Sequence, residues 1–221
     1  MKLELDADKL LTTTRAVRKR LDFDRLVDLE AVRDCLQIAL QAPSGSNAQG
    51  WHFVLVTDEE KRRVLGEIYR RAFAVYRDMP ISAHALAEKR EGDEHAQMER
   101  VVSSAEYLAA NMGRAPALLI PCVEGRADGA SGDLANLAQA SLYGSILPAT
   151  WSFMLAARER GIGTSWTTLH LMFEREAAEV LGIPYDQVTQ VAMSPVAYTR
   201  GTEFGPALRR PVDDVLHLNR W

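Results

Sequence analysis

Apolar and polar positions alternate along this chain with two different periods. Over residues 29–42, Val32, Leu36, Ala39 and Leu40 recur at three- and four-residue spacing, which predicts a helix. Asp28 is its candidate N-cap, and Glu30 lies in the first turn, where acidic groups meet unpaired N–H groups. Pro43 stops that helix, and a small-residue loop follows. WHFVLVT, 51–57, is a short β-rich run closed by Asp58, and 59–78 and 99–112 return to the helical period. ALLIPCV, 117–123, is continuously apolar and reads as a strand buried on both faces. One helix is expected over 137–160, with Gly161 as its C′ residue after Arg158 and Arg160. TSWTT, 164–168, reads as a short strand, 171–181 as a helix closed by Gly182 and Pro184, and 188–198 as the last core strand. The polar stretch from Glu88 to Glu99 reads as a solvated insertion or lid, and 199–221 as an irregular tail.

Few strands and long helices, interleaved without a regular βαβ rhythm, argue an α+β fold with helices packed around one central sheet. No linker divides the 221 residues, so a single domain, 1–221, is expected. No GxGxxG follows the first strand and no P-loop is present, which removes the two commonest nucleotide folds. A formal net charge of −4 opposes nucleic acid or an anionic membrane as a partner for the whole surface. Cys35 and Cys122 stand far apart inside apolar runs and read as buried, reduced thiols. The N-terminus carries charges where a secretory segment is apolar, and no run of roughly 18 apolar residues exists. A cytoplasmic protein is the expectation.

Three segments carry candidate chemistry. Thr12, Thr13 and Thr14 precede Arg15, Arg18, Lys19 and Arg20, a set of hydroxyls and cations suited to a phosphate. The same run also fits a solvated basic turn. In Ala42–Trp51, small residues allow backbone amides to approach a flat ligand, although a plain connecting loop has the same composition. Gly161–Thr168 places hydroxyls beside Trp166. The five histidines show no metal-binding spacing, and no nucleophile–base order is evident, so an enzyme built on this chain would draw its chemistry from a cofactor.

Taken in order, these segments resemble the FMN-dependent nitroreductase family over nearly the whole chain. Thr14-Arg15-Ala16-Val17-Arg18 stands where the family has an Arg-Arg-Ser-x-Arg-like phosphate motif. Ala42-Pro43-Ser44 and Asn47-Ala48-Gln49-Gly50-Trp51-His52-Phe53 match its Ala-Pro-Ser and Asn-x-Gln-Pro-Trp-x-Phe. LAARERGIGTSW, 155–166, matches its Leu-Gly-Leu-Gly-Thr turn, and Arg209-Arg210-Pro211 its late basic residue before a proline. Three departures stand out: Thr14 for Arg, Ala16 for Ser, and Gly50 for Pro.

The resemblance implies a nitroreductase-like fold, a mainly antiparallel sheet surrounded by helices in an intertwined homodimer with FMN at the subunit interface. It implies that Arg15, Ala16 and Arg18, with Arg209 from the tail, hold the FMN phosphate. Pro43, Ser44, Gly45, Ser46 and Asn47 would line the isoalloxazine edge, typically from the partner subunit. Trp166, Thr167 and Thr168 would lie along the ring near N5. No residue is implied as an obligatory acid or base, and no metal is implied. The implied reaction is ping-pong hydride transfer from NADPH or NADH to a small electron-poor acceptor such as a nitroaromatic or quinone. The same scaffold supports reductive dehalogenation and flavin fragmentation, and an FMN store or sensor is the non-enzymatic alternative. Residues 69–112 would form a variable cap over the acceptor, where Tyr69, Phe73, Tyr76 and Met79 either stack on substrate or pack their helix.

Overall fold

The computed structural model describes residues 2–221. Its centre is β2, Ala117–Glu124, the continuous apolar run. Period-two alternation sends Leu118, Ile120 and Cys122 to one face and Ala117 and Leu119 to the other, and both faces are buried. β1, Trp51–Val56, pairs antiparallel with β2 on one side, in a register that sets Phe53 opposite Pro121. On the other side lie β4, Val188–Gln190, and β5, Ser194–Tyr198, also antiparallel. β3, Ile162–Thr164, completes the sheet by pairing with β5.

Helices cover both faces. α2, Leu29–Ala39, and α7, Leu147–Glu159, pack Val32, Cys35, Ala39, Phe153 and Ala157 against Leu119 and Val196. On the opposite face α3, Glu59–Arg77, packs Leu65, Ile68, Tyr69 and Phe73 with Leu108 of α5, Gly92–Asn111, against Leu118 and Ile120. α1, Ala7–Thr13, α4, Ala83–Ala87, α6, Leu134–Gly144, and α8, Glu174–Leu181, complete the shell. The arrangement is the expected α+β one, with every pairing between named strands antiparallel.

Local signals set several boundaries. Asp28 caps α2 by accepting the Glu30 N–H at 3.0 Å. Gly161 follows the end of α7 with φ +70°, a left-handed conformation that glycine adopts without a Cβ clash. Both cysteines are free and buried, on opposite faces of the sheet, and burial raises the Cys35 thiol to about 11 and the Cys122 thiol to about 12.

Five expectations need correction. The stretch 88–99 is not loose: α5 begins at Gly92, and its Met98, Val101 and Val102 pack onto Ala83 and Ala87 of α4 while its charges face water as expected. The helix over 137–160 is two helices. Gly144 and Ser145 end α6, and Pro148, near the start of α7, has no N–H to continue a helix across the break. The strand near 164–168 lies earlier, at Ile162–Thr164, and only Thr167 returns to the sheet edge, by a bridge to Met193. The helix expected over 171–181 begins as a 3-10 turn, Leu169–Phe173, before α8.

The last strand is also interrupted. β2 pairs Cys122 with Gln190 but Leu119 with Ser194, so the three residues 191–193 face the two residues 120 and 121. That is a β-bulge. Its position follows from Pro121, which has no N–H to give the neighbouring strand, although its carbonyl accepts from Val191 at 3.0 Å. Met193, freed from the ladder, donates instead to the Thr167 carbonyl at 2.9 Å.

Candidate functional site

The basic segment leaves α1 in extended conformation at Thr14 and runs beside β3. Ala16 bridges Thr164 in parallel sense, and the Val17 N–H donates to the Thr164 carbonyl at 2.8 Å. Val17 therefore points into the core, while Ala16 is exposed and Arg18 half-buried. Gly163 makes this docking possible: a Cβ there would lie 2.7 Å from Thr199 Cγ2 and 3.0 Å from Val17 Cβ.

The four cations are held by neutral oxygens. Arg15 donates to the Gly205 carbonyl at 3.2 Å, Arg18 to the Ser104 hydroxyl at 3.4 Å and Lys19 to the Ser103 hydroxyl at 2.7 Å. Arg20 donates to the carbonyls of Arg200 and Glu203. Among the described residues none of the four has a carboxylate in ion-pair range. Burial lowers the Arg18 pKa, with Tyr69 and Tyr76 as its neighbours. The segment borders a pocket of about 360 Å³ that Ser104 and the tail residues Glu203–Gly205 help to line. Several cations without an ion-pair carboxylate border this pocket, with exposed Glu203 at its edge, and such a set is suited to a multiply charged anion.

The three threonines are committed elsewhere. Thr12, Thr13 and Thr14 each donate back to the carbonyl four residues earlier, in α1. The expected phosphate hydroxyls are thus used within their own helix.

Beyond β3 the chain is held tightly. The Ser165 N–H donates to the Ser194 hydroxyl at 3.1 Å. Thr167 is buried, and its hydroxyl donates to the Met193 carbonyl. Trp166 is half-buried against the α2–α7 face, and Thr168 alone of the three is exposed. The bridge from Ala16 to Thr164 places this turn directly beside the basic segment.

The loop after α2 is exposed and conformationally unusual. Ser46, Asn47 and Gln49 have φ of 52°, 52° and 53°, left-handed values that non-glycine residues seldom adopt. Ser145 accepts the Gly45 N–H at 3.0 Å, and Ser44 accepts the Gln49 N–H at 3.1 Å. Pro43 and residues 45–47 face solvent, with Ser44 half-exposed. None of these residues lines the Arg15–Arg18 pocket of its own chain, nor does Arg209, which is exposed and donates to the Leu208 carbonyl at 3.0 Å.

Tyr69 and Phe73 belong to the core, so helix packing accounts for them. The Tyr76 hydroxyl accepts the Ala83 N–H at 2.8 Å and fastens α4 to α3. Two features escaped sequence reasoning. Ser103 and Ser104 contact the basic segment from α5, and their only signal was a hydroxyl pair inside a helix. His170 is wholly buried beside Gln190, and burial lowers its pKa to about 3.

The structure thus sets a cation-lined pocket beside one edge of an antiparallel sheet in an α+β fold. The chain belongs to the nitroreductase family, whose model matches residues 11–198. A protein of Archaeoglobus fulgidus, provisionally named an NADH dehydrogenase/NAD(P)H nitroreductase, is 26% identical over 216 residues, covering 96% of this chain and 97% of its own. A 4-nitrobenzoate reductase of a Nocardioides species is 27% identical over 190 residues, covering 80% and 74%. Among solved structures, a point mutant of the FMN and NADPH-dependent nitroreductase NfnB from a sphigopyxis species superposes with a TM-score of 0.69 at 20% identity, covering 98% of this chain and all of that one.

Proposed function

We propose that this chain is an FMN-dependent NAD(P)H oxidoreductase that reduces small electron-poor acceptors such as nitroaromatics or quinones. The observation that carries this reading is the pocket bordered by Arg15, Arg18, Lys19 and Arg20, four cations without a carboxylate partner. A phosphomonoester close to doubly charged fits that donor set, and it would replace neutral oxygen contacts with charge-assisted ones. FMN, when bound, supplies the hydride chemistry that no side chain here provides.

The residues of the chain bind and orient. Arg15 and Arg18 hold the phosphate. The turn of half-buried Trp166 and exposed Thr168, anchored through buried Thr167 to Met193, would lie along the ring. Residues 69–112 form the cap that shapes the acceptor site, where Tyr76 and Met79 are half-buried and Val75, Ile81 and Leu86 are exposed.

The working form in this reading is a homodimer. Every residue from 208 to 221 is exposed, including Leu208, Val212, Leu218 and Trp221. Leu134 and Leu137 of α6 and Trp151 of α7 are exposed as well. Uncovered apolar surface of this extent on one chain supports a contact with a second copy. In this reading loop 43–47 and Arg209, which do not line their own chain's pocket, serve the site of the second copy.

The test is spectroscopic. The purified protein should carry flavin absorbance and bleach when NADPH or NADH is added without oxygen. Protein that is colourless and takes up no added FMN overturns the reading. Bound flavin that neither nicotinamide reduces would instead favour an FMN store.

A further inference from the structure

The anion pocket lacks a neutral donor where its own motif should provide one. Position 16 is alanine, and the hydroxyls of Thr12, Thr13 and Thr14 are turned back into α1. Among the residues lining the pocket, Ser104 has the only side-chain hydroxyl. It comes from the middle of α5, distant in sequence and unrelated to the basic segment. Its oxygen accepts from Arg18 at 3.4 Å and donates to the Val101 carbonyl at 3.0 Å.

That donor can be redirected without leaving a polar group unpaired. Val101 lies inside α5, so its carbonyl is also the acceptor of an ordinary helical N–H. A hydroxyl proton rotates freely about its C–O bond. Turned outward, it faces the space that the guanidinium groups of Arg15 and Arg18 border. The Glu203 carboxylate also borders the pocket, but this residue is exposed, and it is its carbonyl that Arg20 binds, at 2.8 Å.

We propose that Ser104 is a phosphate ligand of the cofactor, donating from α5 the hydroxyl hydrogen bond that Ala16 cannot make. This rests on the FMN reading above.

The experiment compares binding of FMN and of riboflavin, which lacks the phosphate, to the full-length protein by flavin fluorescence. Ser104→Ala should weaken FMN by about tenfold, the range for a hydrogen bond to a charged group, and leave riboflavin unchanged. Alanine is a good helix former, and circular dichroism would verify that α5 is retained. Ser104→Thr should keep wild-type preference. Adding Ala16→Ser to the Ser104→Ala protein should recover much of the FMN affinity. An unchanged FMN-to-riboflavin ratio in Ser104→Ala overturns the proposal, as does an equal loss for both ligands. Failure of the underlying reading shows separately, as wild-type protein that does not prefer FMN to riboflavin at all.

Discussion

The Val17 N–H meets the Thr164 carbonyl at 2.8 Å, joining the basic segment near the N-terminus to the end of β3. This bond, with the Ala16–Thr164 bridge, sets the two candidate segments side by side. It sends Val17 inward and leaves Arg18 at the pocket, because neighbouring side chains on an extended segment point in opposite directions.

The pocket's cations should discriminate flavins by their phosphate. Replacing Arg18 by Ala should weaken FMN by about 10- to 100-fold, and Arg15→Ala by a comparable factor, on the scale of one to two charge-assisted hydrogen bonds. Riboflavin affinity should hardly move. Titration of both flavins into each variant measures this, and equal losses would refute the phosphate assignment.

Gly163 should tolerate no side chain. Alanine there would press on Thr199 Cγ2 and Val17 Cβ, so the basic segment must shift away from β3. Gly163→Ala should lose about 1–3 kcal/mol of stability as overpacking does, and also lose FMN affinity. Denaturant melts and flavin titration report the two effects. A variant with wild-type flavin affinity would show that the docking does not position Arg18.

Acid should destabilise the fold through His170. Its pKa falls from the ordinary 6.5 to about 3 because the buried ring excludes charge. The unfolded chain therefore binds a proton that the folded chain refuses. This contribution to stability is intact above pH 6.5 and is lost as the pH falls toward 3, by at most about 1.4 kcal/mol per pH unit. A His170→Gln protein should lose less stability than wild type between pH 6.5 and 4.5. Parallel slopes of melting temperature against pH would contradict this assignment.

Glu174 ties α8 to β4 and to Arg126. Its carboxylate takes the Arg126 guanidinium at 3.0 Å and the Gln190 N–H at 3.0 Å, and both side chains of the ion pair are mostly buried. Glu174→Ala leaves Arg126 with Asp128 as its remaining carboxylate and strands the Gln190 N–H, so a loss of about 1–3 kcal/mol is expected in urea melts. A loss below about 1 kcal/mol, typical of an exposed pair, would show that the network is solvated.

The proposed dimer should depend on the exposed apolar residues. Leu137→Glu combined with Trp151→Glu should give a monomer in sedimentation, with loss of retained flavin. A monomer that keeps ordered flavin would disprove a shared site.

Much of this was legible in the chain because its causes are local. Asp28, Gly161 and Gly182 cap helices through their own backbone neighbourhood, and the apolar run 117–123 can satisfy burial on two faces only as a central strand. The basic segment and the loop after Pro43 were visible by composition and by family likeness. What could not be read were consequences of contacts between distant segments. The bulge at 191–193 is opposite Pro121 of another strand, α5 extends to Gly92 because α4 covers its apolar side, and Thr167 is committed to Met193. The threonines beside Arg15 looked like phosphate ligands until the helix carbonyls took their protons, and Ser104 had no local mark of function. Side-chain chemistry is written in the sequence, but which partner a hydroxyl or guanidinium meets is set by packing, since a hydrogen bond exists only where tertiary structure brings donor and acceptor together.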